Sequence, residues 1–454
     1  MSRPTPLSGY PEWLPAQRAV EQQVVDELRR TFELHGFAGI ETRAVEPMAQ
    51  LLRKGEIDKE VYVVSRLHAD ADAQPESDDR RLGLHFDLTV PFARYVLENS
   101  GKLQFPFRRY QIQKVWRGER PQEGRYREFC QADIDVVGDG VLPFHHDIEV
   151  VEVMAEAMSR LPLPPLRMQV NNRKLVQGFY RGLGVEDVAA VLRAVDKLDK
   201  VGPDAVRAAL VAEGHSDAVA DACLRLAAIS GTDAAVVEEV RALGVHSDEL
   251  DEGLHELATL LDATGGRRGT VQVVAALKIA RGLDYYTGTV METVMEGYEQ
   301  LGSISAGGRY DALASDGSTT YPGVGISFGV SRTLGPLLAR GVLTGSRSTP
   351  SAVLVALASE EARPQARAVA AALRARGIAC ELAPAAQKYG KQIRQAERRG
   401  IPYVWFPAEA TADGAPAVRD IRTGEQTGAD DASWLPPDAD LRPSVIQPDD
   451  EQGE

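Results

Sequence analysis

One stretch without strand signals divides this chain of 454 residues and limits the folds that it can adopt. Residues 172–265 carry Ala, Val and Leu at helical spacing, with acidic residues where helices would begin. The flanking segments 84–137 and 272–294 instead alternate short apolar or aromatic runs with turns and glycines, as strands do. The pattern predicts an all-helical insertion within one domain of mixed α and β structure.

The two ends of the chain carry further helix and strand signals. Residues 14–35 have the spacing of a long amphipathic helix, and residues 343–350 resemble a linker. Beyond the linker, strand-like runs at 352–357, 378–382 and 401–406 alternate with helical patterns at 360–376 and 385–399. Strands that alternate with helices predict a parallel sheet with right-handed crossovers.

Composition excludes several classes of protein. With 44% hydrophobic and 26% charged residues, the chain has enough apolar content for several cores. The chain contains no run of roughly 18 apolar residues, the length needed to span a membrane. Its first ten residues lack the apolar centre of a signal peptide. Cys130, Cys223 and Cys380 lie far apart without a C-x-x-C pair, which argues against a disulfide framework or a cysteine zinc site. We therefore expect a cytoplasmic protein.

The net charge of −15 is unevenly distributed along the chain. Residues 409–454 contain twelve acidic residues and three arginines, and the Pro- and Asp-rich tail from 436 to 454 predicts disorder. Residues 102–128 carry a local charge of +5, and residues 388–399 carry +4. The total argues against a nucleic-acid partner, whereas the two basic clusters are either solvated faces or sites for anionic ligands.

Two apparent catalytic motifs lack the residues or the geometry that their chemistry requires. Gly325-Ile-Ser327-Phe-Gly329 matches the nucleophile elbow of serine hydrolases, but that fold needs a histidine after the serine, and all eight histidines precede Ser327. His145, His146 and Asp147 are adjacent, so their side chains do not converge on one metal ion. The chain also lacks a phosphate-binding P-loop and a dinucleotide-binding glycine motif in the required context.

The strongest signal is a strand, a loop rich in arginine and a returning strand at residues 107–135. Several planar, permanently charged guanidinium groups on one hairpin are suited to binding polyphosphate. Gln131 and Asp135 are four residues apart on the returning strand, so they share one face. Tyr285 and Tyr286 would add flat walls and hydroxyl groups. The alternative is a set of structural ion pairs on a sheet.

These segments resemble a known family. Phe86-Asp-Leu-Thr-Val-Pro91, the arginine hairpin, Arg281-Gly-Leu-Asp-Tyr-Tyr286 and Gly307-Gly-Arg-Tyr-Asp311 are similar to the motifs of histidyl-tRNA synthetases, which are class II aminoacyl-tRNA synthetases. The resemblance covers nearly the whole chain. It implies an α+β fold with an antiparallel six-stranded sheet flanked by helices, a helical insertion and a C-terminal α/β anticodon-binding domain. Pro47 matches the motif 1 proline at the dimer interface of the family, which implies a homodimer.

The resemblance also defines the expected domains. They are the first part of the catalytic core with motifs 1 and 2 (1–170), the helical insertion (171–270), the second part of the core with the histidine-specific motifs and motif 3 (271–342), the linker (343–350), the anticodon-binding domain (351–435) and the acidic tail (436–454).

The family joins histidine to its tRNA through histidyl-adenylate, using ATP and Mg²⁺. By resemblance, Arg117 and Arg281 are the catalytic arginines at the α-phosphate. ATP is also held by Arg125 and Arg332, and Mg²⁺ binds through ATP rather than at a dedicated protein site. The residues implied for histidine are Asp87, Thr89, Gln131, Asp135, Tyr285, Tyr286 and Tyr310. Those implied for tRNA(His) are Arg120, Lys388 and Lys391. No membrane or DNA partner is expected.

The chain departs from the family pattern at three places, one of which is the end of the C-terminal domain, where the sequence past Phe406 fits the pattern poorly. His85 stands where the family usually has arginine, so we assign this position no role, and the opening Gly9-Tyr-Pro-Glu-Trp-Leu-Pro15 replaces the usual string. The rival interpretation is a non-catalytic paralogue that regulates ATP phosphoribosyltransferase in histidine biosynthesis. Such relatives have lost part of the arginine set, which is complete here, and typically lack the C-terminal domain.

Overall fold

The computed structural model describes residues 4–52, 60–67, 77–78, 80–279, 285–412 and 414–447. Contacts between Cα atoms group the chain into two compact units. The larger unit comprises Met1–Pro11 and Val25–Pro336, and the smaller unit comprises Glu12–Val24 and Leu337–Glu454. A segment near the start of the chain therefore belongs with the C-terminal unit, which the sequence pattern did not indicate.

The described residues form these α-helices: α1 (Pro15–Leu34), α2 (Met48–Leu51), α3 (Thr89–Asn99), α4 (His145–Ser159), α5 (Arg173–Gly182), α6 (Val188–Val195), α7 (Leu198–Val201), α8 (Pro203–Ala212), α9 (Asp217–Ala228), α10 (Ala235–Arg241), α11 (Asp248–Thr264), α12 (Val330–Ala339), α13 (Arg363–Ala375) and α14 (Tyr389–Arg399). Helix α1 confirms the long helix predicted at 14–35. Its residues Val20, Val24, Leu28 and Phe32 recur every four positions and are buried, as an amphipathic helix requires.

The strands are β1 (Ala38–Gly39), β2 (Val45–Pro47), β3 (Val63–Val64), β4 (Leu82–Leu84), β5 (Phe107–Trp116), β6 (Glu128–Val137), β7 (Leu166–Asn172), β8 (Ser230–Gly231), β9 (Arg267–Arg268), β10 (Val271–Ala276), β11 (Thr289–Met295), β12 (Ser305–Ser315), β13 (Thr320–Gly329), β14 (Thr344–Gly345), β15 (Val353–Val355), β16 (Cys380–Leu382), β17 (Tyr403–Phe406), β18 (Ala417–Asp420), β19 (Gln426–Gly428) and β20 (Val445–Ile446).

The main sheet lies in the larger unit and has the order β1-β5-β6-β13-β12-β11-β7-β10-β8, with β9 paired to β10. Six consecutive strands, from β5 to β7 in this order, are antiparallel to one another, which confirms the predicted antiparallel sheet. Parallel pairs extend it at both ends, β1 beside β5 and β10 beside β7. Helix α4 packs against β13 and β6.

The predicted all-helical stretch joins two neighbouring strands of this sheet. Strands β7 and β10 are parallel, with Leu166 opposite Val271, and the chain between them forms helices α5 to α11. Parallel neighbours need a long crossover connection, which these helices provide. The short strand β8 pairs with β10 and ties the helical stretch back to the sheet edge.

The smaller unit contains the predicted C-terminal α/β structure. Its sheet has the order β16-β15-β17-β18-β19, and β15 is parallel to both β16 and β17, as predicted. Strands β18 and β19 were not predicted and are antiparallel. Val353, Leu354, Val404 and Trp405 belong to the buried core of this sheet.

Both ends of this unit contain more structure than the sequence pattern indicated. The segment predicted as a linker at 343–350 contains β14 and the buried guanidinium of Arg347, which donates to the carbonyl oxygens of Thr349 and Pro350. The tail predicted as disordered from 436 is ordered up to residue 447, because β20 pairs with β14. Residues 448–454 lie outside the described residues.

Candidate active site

The predicted arginine hairpin is formed by β5 and β6, which pair from Phe107 opposite Val137 to Trp116 opposite Glu128. Backbone hydrogen bonds hold the base of the loop between them. The backbone N–H of Arg117 donates to the carbonyl of Arg127 at 2.9 Å, and the N–H groups of Arg127 and Glu128 both donate to the carbonyl of Gly9. The loop that carries the arginines is therefore held by the N-terminal segment of the same unit.

A cavity of about 230 Å³ opens beside this hairpin. Eight of the predicted site residues line it: Asp87, Thr89, Arg117, Arg125, Gln131, Tyr285, Tyr286 and Arg332. They come from the start of α3 and the residues just before it, the hairpin, the segment before β11 and the first turn of α12. Residues far apart in the chain thus meet at one place, as the motif pattern implied.

The arginines at this cavity are anchored by carbonyl oxygens and carboxylates. Arg117 donates through Nε to the carbonyl of Phe86 at 3.0 Å, and its guanidinium lies 5.1 Å from the centre of the Phe129 ring. Arg125 contacts Glu119 at 3.4 Å, and Arg332 donates to the carbonyl of Leu301. Anchoring these side chains reduces the conformational entropy that they would lose on binding a polyphosphate.

Two of the predicted arginines, Arg281 and Arg120, are not placed at the cavity. Arg281 lies outside the described residues, so its role at the α-phosphate remains a prediction. Arg120 is exposed on the hairpin loop and is not among the residues that line the cavity.

The chain at the start of α3 presents the carboxylate of Asp87 and the hydroxyl of Thr89 to the cavity. Asp87 is buried, and its Oδ1 accepts a hydrogen bond from the backbone N–H of Val90 at 3.1 Å, which orients the side chain at the start of the helix. The side chain of His85, in contrast, packs in the protein interior. It is fully buried beside Trp116 with Nε2 2.7 Å from the carbonyl of Lys114, and burial lowers its pKa.

Strand β6 supplies a polar cavity residue that the sequence analysis missed. Gln131, Asp133 and Asp135 alternate along the strand and share one face, but the family motif drew attention only to the first and third. Asp133 lines the cavity and is 2% exposed. Burial raises its pKa to about 7, while the nearby charge of Arg109 acts in the opposite direction. The alternation of polar residues in this strand was the available signal.

Asp135 and Tyr310 occupy a buried layer next to the cavity rather than its lining. Asp135 Oδ2 is 2.6 Å from a terminal nitrogen of Arg109, and the Tyr310 hydroxyl donates to Asp135 Oδ1 at 2.8 Å. Arg109 is fully buried and lies over the ring of Phe92. Burial, together with the charges of Asp87 and Asp135, raises the pKa of Tyr285, so its hydroxyl stays protonated.

Two glycines make room for these side chains. A Cβ atom on Gly308 would lie 2.9 Å from the ring of Tyr286, and one on Gly325 would lie 2.0 Å from Asp135 Oδ1. Gly325 also belongs to the string that matches a nucleophile elbow. Its serine, Ser327, lies within strand β13 instead of at a strand-to-helix turn, so the hydrolase interpretation has no structural support.

The adjacent histidines and aspartate at 145–147 have structural partners. Asp147 pairs with Arg309 at 2.5 Å, and His146 contacts Glu149 at 2.7 Å. Across the described residues, no group of three or more His, Cys, Asp or Glu side chains is arranged to hold a metal ion.

In the smaller unit, α14 carries the second basic cluster. Lys388 precedes the helix, and Lys391, Arg394 and Arg398 are exposed along it. Arg399 instead pairs with Glu381 at 2.6 Å. Most of this positive charge is therefore accessible to solvent.

Comparison with known proteins connects both units to one family. The family model described as histidyl-tRNA synthetase matches residues 9–333, and a model described as an anticodon-binding domain matches residues 352–432. The chain belongs to the histidyl-tRNA synthetase family. It is 60% identical to a histidine–tRNA ligase of Cutibacterium acnes over 98% of this chain and 99% of that one. It is 59% identical to the Micrococcus luteus ligase over 99% of this chain and 100% of that one.

A solved structure of the family agrees with this assignment, and a second structure shares the fold. The crystal structure of histidyl-tRNA synthetase from Nostoc sp. PCC 7120 superposes with a TM-score of 0.82 at 32% identity, covering 94% of this chain and 97% of that one. A Bacillus halodurans structure titled ATP phosphoribosyltransferase regulatory subunit/histidyl-tRNA synthetase has a TM-score of 0.68 at 22% identity, covering 83% and 92%, and shares the fold.

The chain is thus an aminoacyl-tRNA synthetase, a histidine–tRNA ligase. The regulatory paralogue is not favoured, because ligases match the chain over nearly its full length and the anticodon-binding domain is present. Among the residues whose structure is described, no helix has the length and apolarity needed to span a bilayer.

Proposed function

We propose that the cavity beside the arginine hairpin is where histidine reacts with ATP to form histidyl-adenylate and pyrophosphate, before histidine is transferred to the 3′ end of tRNA(His) and AMP is released. One observation carries this proposal. Arg117, Arg125 and Arg332 line the same cavity as the acceptor side chains of Asp87 and Gln131. Cationic groups suit the phosphates, and the acceptors suit the ammonium group of an amino acid.

The adenylation step depends on positioning and charge. The carboxylate of histidine is already ionised at neutral pH and attacks the α-phosphorus in line with the departing pyrophosphate, so no general base is needed. Arg117 and Arg281 stabilise the negative charge that develops on the α-phosphate, and Arg125 and Arg332 hold the outer phosphates.

Recognition of the imidazole rests on Tyr285, Tyr286, Tyr310 and Asp135. A neutral imidazole has one donor and one acceptor nitrogen, which a carboxylate and a phenolic hydroxyl can both satisfy. An amino acid without these atoms leaves buried polar groups unpaired, which reduces its use by a factor on the order of 10⁴. Tyr310 and Asp135 act from the layer behind the cavity through their mutual hydrogen bond.

The arginine-rich lining fits the anionic triphosphate of ATP. We assign Mg²⁺ to the phosphates of ATP, because the described residues around the cavity include no cluster of side chains that could hold a metal ion by themselves. Mg²⁺ supplies charge neutralisation to the phosphates when it is bound.

The remaining assignments concern partners and organisation. Arg120 on the hairpin loop contacts the acceptor end of tRNA(His), and Lys388 and Lys391 contact its anticodon region. The enzyme works as a homodimer in the cytoplasm, with Pro47 at the subunit interface. Residues 1–170 and 271–342 form the catalytic core, 171–270 the insertion and 351–435 the anticodon-binding domain.

The decisive experiment is histidine-dependent ATP–pyrophosphate exchange by the full-length protein, followed by charging of total tRNA. We expect exchange with histidine and with no other standard amino acid, and charging confined to tRNA(His). A folded protein that shows neither activity would overturn the proposal in favour of a non-catalytic role.

A further inference from the structure

Two buried acceptor oxygens at the cavity have no hydrogen-bond donor among the described residues. They are Gln131 Oε1 and Asp133 Oδ1. Both side chains line the cavity, and they are 8% and 2% exposed. Leaving such an oxygen desolvated and unpaired costs about 1–3 kcal/mol, so a buried acceptor of this kind indicates a missing donor.

Ser327 is hydrogen-bonded to both of these side chains. The side-chain Nε2 of Gln131 donates to Ser327 Oγ at 2.6 Å, and the Ser327 hydroxyl is hydrogen-bonded to the Asp133 carboxyl group. A serine hydroxyl has one proton, so it accepts from Gln131 and donates to Asp133. This chain of bonds fixes the amide orientation of Gln131 and leaves one oxygen of each residue for a ligand.

The charges around these oxygens favour a cation. Three carboxyl groups interact here, those of Asp87, Asp133 and Asp135. Arg109 also faces Asp133, but its guanidinium is already engaged with Asp135 at 2.6 Å. A positive group that enters the cavity near Asp133 would therefore offset negative charge that the described side chains leave incompletely balanced.

We propose that Asp133 directly binds the α-ammonium group of histidine, together with Asp87, Thr89 and Gln131. The inference rests on the proposed function and adds a substrate ligand to it. An ammonium group has three donors on one tetrahedral centre, whereas a neutral imidazole has one donor, so the ammonium group matches several convergent acceptors better.

A proton-linkage effect follows from this placement. Burial raises the pKa of Asp133 to about 7, with Asp135 and Asp87 adding to the rise and Arg109 and the Ser327 hydroxyl opposing it. An ammonium ion in contact with Asp133 favours the ionised carboxylate and lowers that pKa. Binding of histidine below pH 7 therefore releases a proton from Asp133, and the affinity for histidine falls as the pH is lowered.

The test compares the full-length wild type with Asp133→Asn and the control Asp147→Asn, a buried carboxylate outside the cavity. Calorimetry measures the affinity for histidine and for imidazole-4-propionate, which lacks the amino group. We expect Asp133→Asn to weaken histidine binding roughly 10- to 100-fold and to change binding of the desamino ligand less than about twofold. The control should leave the ratio of the two affinities unchanged. Equal weakening of both ligands would mean a structural role and overturn the proposal.

A second measurement does not depend on the variant folding. Infrared difference spectra of the wild type at pH 6.5 should show loss of a protonated-carboxyl band when histidine binds, and no loss would contradict the proposal. Different results would refute the proposed function and the proposed role of Asp133. A wild type without histidine-dependent exchange refutes the proposed function, whereas an active wild type and an Asp133→Asn variant with unchanged KM for histidine refute only the role of Asp133.

Discussion

At the scale of single residues, partners decide what the three polar side chains on β6 can do. Gln131, Asp133 and Asp135 share one face, yet Asp135 is engaged with Arg109 and Tyr310 while Asp133 has a hydroxyl partner and an oxygen left for a ligand. Burial raises the pKa of Asp133, and the charge of Arg109, which pairs with Asp135, opposes that rise only in part. Their different roles therefore arise from contacts across the sheet.

Arg117 provides the first prediction at this scale. Its Nε is used by the carbonyl of Phe86, and its planar fork extends to the cavity. Because a lysine cannot bind a carbonyl and a phosphate through one rigid plane, Arg117→Lys should reduce the exchange rate by about 100-fold with little change in Tm. The control Arg108→Lys, which contacts Glu149 away from the cavity, should remain nearly fully active. Normal exchange in Arg117→Lys would contradict the assignment.

Asp133 provides a prediction about stability and pH. Its pKa is about 7 in the folded chain and about 4 when unfolded, so the folded state binds more protons between these values. The free energy of unfolding therefore falls as the pH rises from about 4 to about 7. Asp133→Asn removes this penalty, and its Tm without ligands should exceed that of the wild type by more at pH 8 than at pH 5. Each kcal/mol corresponds to roughly 2–4 °C. A Tm difference that is independent of pH would argue against the raised pKa.

Among the helices and strands, the hairpin and α14 each carry a basic cluster, and the two clusters differ in how far protein acceptors hold their side chains. The hairpin arginines at the cavity are held by protein acceptors, whereas most cations of α14 are exposed. Because crossovers between parallel strands are right-handed as a rule, we expect the order β16-β15-β17 to put α13 and α14 on opposite faces of the small sheet. A nucleic acid that binds along α14 therefore does not contact the exposed residues of α13.

This arrangement offers a matched pair of charge reversals. Lys391→Glu on α14 should raise the KM for tRNA(His) about five- to tenfold, because it acts on contacts with the tRNA phosphates. It should leave the rate of ATP–pyrophosphate exchange unchanged. Arg367→Glu on α13 is the control, since Arg367 is also exposed. Aminoacylation kinetics at fixed salt measure both variants. Equal effects of the two reversals would indicate general repulsion rather than a site on α14.

At the scale of the whole molecule, the smaller unit is assembled from both ends of the chain. Strand β20 pairs with β14, and the side chain of Gln23 on α1 donates to the carbonyl of Pro443. Asp440 accepts hydrogen bonds from Arg422 at 2.8 Å and from the Tyr403 hydroxyl at 2.7 Å. The segment 436–447 is thus part of the packed structure, although its composition is typical of a disordered tail.

Two truncations separate packing from charge in this segment. A chain ending at Gln447 loses only residues beyond β20 and should keep its Tm within about 1 °C. A chain ending at Leu435 also loses β20 and the partners of Arg422 and Tyr403, so we expect its Tm to fall by several degrees. Thermal unfolding monitored by circular dichroism measures both. Equal Tm values for the two truncated chains would show that the segment contributes nothing to stability.

Local patterns accounted for much of the fold, because the periods of buried residues differ between helices and strands. Helix α1, the hairpin strands and the alternation of β15, α13, β16, α14 and β17 were all predicted from such periods. Strands β18 and β19 were missed because they are short and lie among polar residues, and β14 and β20 because their pairing joins segments about 100 residues apart.

Residue type and local spacing were sufficient to predict the arginine hairpin, and the motif resemblance predicted the family, the antiparallel sheet and eight of the residues that line the cavity. Only the tertiary structure decided which β6 carboxylate faces the cavity and which is engaged by Arg109, and that the acidic segment before residue 448 is packed. The physical reason is that spacing along a strand selects a face, whereas depth, partners and long-range pairing are set by elements that the chain brings together from elsewhere.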